Sequence, residues 1–145
     1  MGTYQHVLLA VDFSKEADHV GTRAVALAQE WGARITLLHV VAPVYQEPIY
    51  EGVTTLPLDI EAQLLDSARH AIADLARRLG VPEAERRVEV GSPKTVILGT
   101  AAALGVDLIV LGSHGVHGLG LLLGSTANGV LHGARCDVLA VRVPS

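Results

Sequence analysis

At four points a segment of helical period ends in a glycine, a small or β-branched residue follows, and a short apolar run begins close behind. These are Trp31-Gly32-Ala33, Leu79-Gly80-Val81, Leu104-Gly105-Val106 and His132-Gly133-Ala134. Glycine just past a helix end takes the left-handed conformation that closes the last turn. The punctuation therefore predicts four helix-to-strand junctions. The intervening runs agree: residues 6–12 (HVLLAVD), 34–41 (RITLLHVV), 86–90, 107–111 (DLIVL) and 137–143 (DVLAVRV) read as five strands. VLLAV and LIVL are almost continuously apolar, as expected of central parallel strands covered on both faces.

The helical segments carry their own signals. Residues 16–31 are helical in pattern, with Ser14 as the expected N-cap. Over residues 58–79, Leu58, Ala62, Leu65, Ala68, Ile72, Leu75 and Leu79 recur at three- and four-residue steps, which puts them on one face. Ser92-Pro93 starts a third helix, since proline's missing N–H costs nothing at the first helical position, and Ile97, Ala101 and Leu104 mark its buried side. A fourth runs over residues 125–132. The chain thus reads β1-α1-β2-α2-β3-α3-β4-α4-β5, an α/β sandwich with right-handed crossovers. With 145 residues it is expected to form one domain, residues 1–145. The proline-bearing stretch 42–57, which follows β2, reads either as a lid over a ligand crevice or as a solvated connector.

Charge and cysteine content narrow the function. The formal net charge is −4 with 11 Lys and Arg, so no basic stripe suits nucleic acid. Cys136 is the single cysteine, which excludes an intrachain disulfide; its expected role is an inert buried thiol. The N-terminal MGTYQHVLLAVD lacks a signal-peptide pattern, and the apolar stretch 97–111 is interrupted by Asp107. These features predict a cytoplasmic protein without a membrane span.

Directly after β4 comes GSHGVHGLGLLLGSTA, residues 112–127. Glycines allow a backbone to approach an anion closely, and Ser125-Thr126 opens a helix whose free amides attract negative charge. A phosphate cradle is one reading and a generic flexible loop the other. No Gly-Lys-Ser/Thr occurs and the lysines are Lys15 and Lys94, so this is not a Walker loop. Nor is it the dinucleotide fingerprint, because it follows the fourth strand. Any phosphate here is held by backbone amides and hydroxyls.

The opening VLLAVDFS, the LLHVVAP after it, and GSHGVHGLGLLLGSTA followed by CDVLAVRVP resemble the universal stress protein family over essentially the full length. The resemblance implies an open, twisted, Rossmann-like five-stranded parallel sheet of the adenine nucleotide alpha hydrolase kind. Its strand order is 3-2-1-4-5, with helices on both faces. It also implies a homodimer formed partly through the C-terminal strand and, in one branch, binding of ATP or AMP, with Mg held through the phosphates. The other branch acts without nucleotide, through dimerisation and protein contacts. The nucleotide-binding branch carries Gly-x2-Gly-x9-Gly followed by Ser or Thr. Gly112 and Gly115 match its first half, but eight residues separate Gly115 from Gly124. Either the loop is one residue shorter and keeps Gly124-Ser125, or Ser125-Thr126 is the terminal pair.

Carried over by resemblance, Asp12 stands near ribose and metal. Ala10, Val11, Val40 and Leu111 line the adenine pocket, while Gly112, Gly115, Gly124, Ser125 and Thr126 hold ribose and phosphates; His114 either packs on the loop or touches the ribose. A crevice between β1 and β4 is also where the connections diverge to opposite faces. A second reading of Asp12 is a cap for the helix that follows. His114, His117 and His132 lack the rigid platform and companion ligands of a zinc site. No Gly-x-Ser-x-Gly elbow is present, so the expectation is a binding protein with at most slow ATP hydrolysis.

Overall fold

Each expected strand and helix forms, within a residue or two of its expected bounds. The computed structural model describes residues 4–43, 60–114 and 123–142. In chain order the elements are β1 (His6–Val11), α1 (Ala17–Trp31), β2 (Arg34–Val41), α2 (Ile60–Arg78), β3 (Glu85–Val90), α3 (Pro93–Leu104), β4 (Leu108–Gly112), α4 (Ser125–Gly133) and β5 (Asp137–Val141). The strands pair in parallel in the order β3-β2-β1-β4-β5.

The alternation of side chains along the strands builds two apolar layers. Val7, Leu9, Leu37, Leu108 and Val110 pack with Val20 and Ala24 of α1 and with Ile72 and Leu75 of α2. On the opposite face, Leu8, Leu38, Ile109 and Leu111 pack with Ile97 and Ala101 of α3 and with Ala127 and Val130 of α4. Leu8, Leu9, Leu37, Leu38 and Ile109 are wholly buried, each worth about 2 kcal/mol in area removed from water. The chain leaving β1 thus turns to one face and the chain leaving β4 to the other. Between them lies the point where an open α/β sheet leaves a crevice beyond its strand ends.

The opposite end of the sheet sets the alignment. The Asp107 carboxylate, just before β4, accepts the amides of Gln5 at 2.9 Å and His6 at 3.0 Å at the start of β1. Next to it His6 Nε2 lies 2.7 Å from Thr36 Oγ1 of β2, both side chains being buried. In parallel strands, fixing one end fixes the other. Val7 stands opposite Leu108 and Ile35, and the C-terminal ends of β1, β2 and β4 fall side by side.

Two local expectations are corrected. Ser14 is not the N-cap of α1, a position held by Glu16. The Ser14 hydroxyl accepts the Glu16 amide at 3.3 Å and its carbonyl accepts that of Ala17 at 3.0 Å, so it closes the turn that precedes the helix. Gly32, Gly80 and Gly105 have φ of 65°, 76° and 65°, as expected of helix stops. Gly133 does not. It lies inside α4, which ends on an extended Ala134. A Cβ on Gly133 would meet Leu98 Cδ1 of α3 at 2.7 Å, so this glycine permits close approach of two helices rather than a left-handed turn. On α2 the buried residues are Ala68, Ile72, Leu75 and Ala76, with Ala62 exposed and Leu58 outside the described residues. Among the described residues no helix is long and apolar enough to cross a membrane.

Candidate functional site

Above the C-terminal ends of β1, β2 and β4 the structure has a cavity of about 370 Å³, within the size range of small-molecule pockets. Its walls differ in chemistry. Ala10, Leu38, Val40, Ile97 and Leu111 form an apolar wall that continues downward into the layer beneath α3 and α4. Asp12, His39, Gly112, His114, Gly124, Ser125 and Thr126 supply the polar side.

The polar side is built by the two ends of the glycine-rich connection. Ser113 donates its amide to Val141 of β5 at 2.9 Å, and its carbonyl accepts the Gly124 amide at 2.6 Å. That pair closes the connection at its base and delivers α4 to the end of β4. Gly124 is the N-cap with φ −62° and ψ 155°, and no side chain caps the helix. The first-turn amides of Ser125, Thr126 and Ala127 have no acceptor within the helix, and all three residues line the cavity. The N-terminus of α3 faces the same space through Pro93, its N-cap Ser92 making no side-chain capping bond. Two helix ends, each equivalent to about half a positive charge, therefore border one cavity.

The exit of β1 forms the third part. Asp12 is exposed and its Oδ1 accepts the Ser14 amide at 3.0 Å, which closes a turn ahead of α1 and does not cap the helix, whose N-cap is Glu16. The carboxylate also lines the cavity. Phe13 follows with φ 56°, a left-handed conformation that residues with a Cβ rarely adopt. Its ring lies 4.2 Å from that of His39, whose Nδ1 donates to the Val11 carbonyl at 2.6 Å.

Of the residues expected at the site, Ala10, Val11, Asp12, Val40, Leu111, Gly112, His114, Gly124, Ser125 and Thr126 all line the cavity. Gly115 lies outside the described residues, as do His117, Gly118, Gly120 and residues 44–57 of the stretch after β2. His132 is exposed on α4, with Nδ1 2.9 Å from the Asn128 carbonyl oxygen, and is not in the lining. Cys136 is half-buried against the layer under α3 and α4; burial pushes its thiol upward, with Asp137 and Asp107 adding to the shift.

Five lining residues were not foreseen: Leu38, His39, Pro93, Ile97 and Ala127. Leu38 shares a strand face with Val40 at the period of two, and Ala127 stands one helical turn beyond Gly124, so both follow from periodicity. Pro93 and Ile97 mark the start of α3, a junction between elements distant in sequence. His39 gave no sequence signal beyond its position next to Val40. Among the described residues no three His, Cys, Asp or Glu gather into a metal-binding group.

Residues 3–142 match the family model described as the universal stress protein family. Universal stress protein A homolog 2 of Coxiella burnetii is 40% identical over 144 residues, which cover 99% of this chain and 98% of that protein. Among solved structures, a universal stress protein from Lactobacillus plantarum superposes with a TM-score of 0.76 at 31% identity, over 98% of this chain and 100% of that one. A universal stress protein crystallised in complex with cAMP gives a TM-score of 0.68 at 26% identity, over 96% of this chain and 97% of that one.

Proposed function

The chain belongs to the universal stress protein family, and from that premise we propose that it binds an adenine nucleotide between β1 and β4 and acts as a nucleotide-dependent sensor or modulator in a stress response. The observation that carries this reading is the two-sided cavity. An apolar wall of Ala10, Leu38, Val40, Ile97 and Leu111 suits a purine, and the start of α4 beside it, without a side-chain cap, suits a phosphate. The complex of a structural relative with cAMP supports the same ligand chemistry.

The residues take distinct roles in this reading. Val40 and Ile97 exclude water from the base, Gly112 gives the ribose close passage over the end of β4, and the amides of Ser125 and Thr126 bind the phosphate. Asp12 faces the ribose and would be the carboxylate available to a magnesium ion brought in by a polyphosphate. That ion would neutralise phosphate charge. The reading carries at most slow ATP hydrolysis.

A second surface favours action through protein contacts. Among the described residues neither outer strand has a further strand beside it, but β3 carries Glu85, Arg86, Arg87 and Glu89, whereas β5 (DVLAV) is uncharged beyond Asp137. Charged edges resist strand addition and uncharged ones invite it. We assign a homodimer to the β5 edge, expected as a twofold mass in light scattering. The nucleotide reading is tested by calorimetric titration with adenosine, AMP, ADP and ATP; absence of binding by all four at millimolar concentration overturns it.

A further inference from the structure

We propose that His39 is a positioning residue, holding Asp12 in place to recognise the ribose hydroxyls, an inference that rests on the nucleotide reading above. Asp12 is the first residue past the end of β1. Val11 and His39 are the last partners in the β1–β2 register, so the sheet ladder does not extend to Asp12. Its side chain is exposed, and a carboxylate left free there loses conformational freedom when a ligand fixes it.

His39 touches both chain neighbours of Asp12. Its Nδ1 lies 2.6 Å from the Val11 carbonyl oxygen, and because a carbonyl only accepts, Nδ1 carries the hydrogen. That carbonyl belongs to the peptide group joining Val11 to Asp12, so the bond fixes the plane from which Asp12 departs. On the other side the Phe13 ring packs on the His39 ring at 4.2 Å, while the Phe13 backbone stands in the left-handed region at φ 56°. One side chain on β2 therefore brackets the carboxylate-bearing residue of β1.

The carboxylate itself is half committed. Oδ1 accepts the Ser14 amide at 3.0 Å, and Oδ2 has no partner among the described residues. Asp12 and His39 both line the cavity. A carboxylate oxygen held in this way is set to accept from a sugar hydroxyl, and a site built to do so discriminates against the analogue that lacks the hydroxyl. Loosening the bracket should weaken that discrimination without removing the apolar wall that receives the base.

The test is calorimetry on the full chain with adenosine and 2′,3′-dideoxyadenosine, for the parent, Asp12→Ala, His39→Leu, the Asp12→Ala/His39→Leu double variant, His39→Gln and His39→Asn. The readout is the ratio of the two affinities, which a defect common to both ligands does not move. The parent should prefer adenosine by about tenfold or more, and Asp12→Ala should abolish the preference. His39→Leu should reduce it about two- to tenfold, with no further loss in the double variant. His39→Gln, which places no donor at the Nδ1 position, should match leucine and serves where leucine fails to fold. His39→Asn, whose amide N–H can reach the same carbonyl, should recover part of the preference. A parental ratio in His39→Leu or His39→Gln overturns the inference, and so does an additional loss in the double variant, which would mean that His39 meets the ribose directly. Equal binding of both ligands by the parent overturns the ribose role of Asp12 and leaves the base-binding crevice standing. Failure of the parent to bind either ligand overturns the nucleotide reading itself.

Discussion

The rings of Phe13 and His39 lie 4.2 Å apart at a tilt of 36°, and this contact sits on the only described non-glycine residue with a positive φ. Phe13 leaves β1 in the left-handed region at φ 56°, while His39 ties the neighbouring Val11 carbonyl at 2.6 Å. A left-handed residue with a Cβ costs about 1 kcal/mol relative to glycine. Alanine usually stabilises relative to glycine, and here the order should invert. Phe13→Gly is expected to be more stable than Phe13→Ala by about 1 kcal/mol, read from urea unfolding midpoints. Equal stability, or a more stable alanine variant, would show that the exit of β1 relaxes out of this conformation.

The apolar wall of the crevice can be blocked at a residue that is only partly in the core. Val40 is half-buried and lines the cavity, whereas Leu38, two residues earlier on the same strand face, is fully buried. Val40→Trp should fill the base-binding side and weaken adenosine at least tenfold, about 1.4 kcal/mol, with a melting temperature within a few degrees of the parent. A variant that still binds adenosine with parental affinity places the base elsewhere.

At the other end of the sheet, Asp107 makes a pH-dependent contribution. Burial pushes its carboxyl upward, but the amides of His6 and Gln5 outweigh that and hold it below the ordinary value of 3.8. A carboxyl depressed in the folded state stabilises fully above its unfolded pKa and loses that contribution as pH falls through the folded value. Asp107→Asn should therefore cost about 1–2 kcal/mol at neutral pH, where charged hydrogen bonds are lost. The difference from the parent in urea midpoint should stay constant from pH 7 to 5 and shrink below 3.8. An unchanged difference at pH 3 would remove the ionised carboxylate as the cause.

What was legible in the sequence is what local physics writes there. Period-two and period-3.6 patterns gave the strands and helices, and the left-handed glycines Gly32, Gly80 and Gly105 marked three of the junctions. The cavity-lining residues on β1, β4 and α4 were legible as one group because they belong to contiguous motifs and to a family resemblance. Pro93 and Ile97 were not, since their place at the cavity comes from α3 crossing the sheet to lie beside α4. Gly133 shows the same limit from the other side. Its sequence context matches the helix stops, but the atom nearest to an added Cβ belongs to Leu98, a residue on another helix.

That difference in cause separates two glycines that look alike in sequence. Nothing lies within 4 Å of a Cβ added at Gly105, so Gly105→Ala is opposed only by φ 65°, and Gly105→Asn, which tolerates that region, should recover part of the loss. At Gly133 the backbone is compatible with alanine and the obstacle is Leu98 at 2.7 Å. The colliding atom is the end of a half-buried leucine that can rotate aside, so Gly133→Ala should cost no more than about 1 kcal/mol, and asparagine there should do worse, not better. Leu98→Ala in the same chain should restore tolerance of Gly133→Ala, because it removes the colliding methyl group, and should do nothing for Gly105→Ala. Urea midpoints for the singles and the two doubles decide it: equal rescue of both glycine variants by Leu98→Ala would mean that α3 and α4 do not meet at this point.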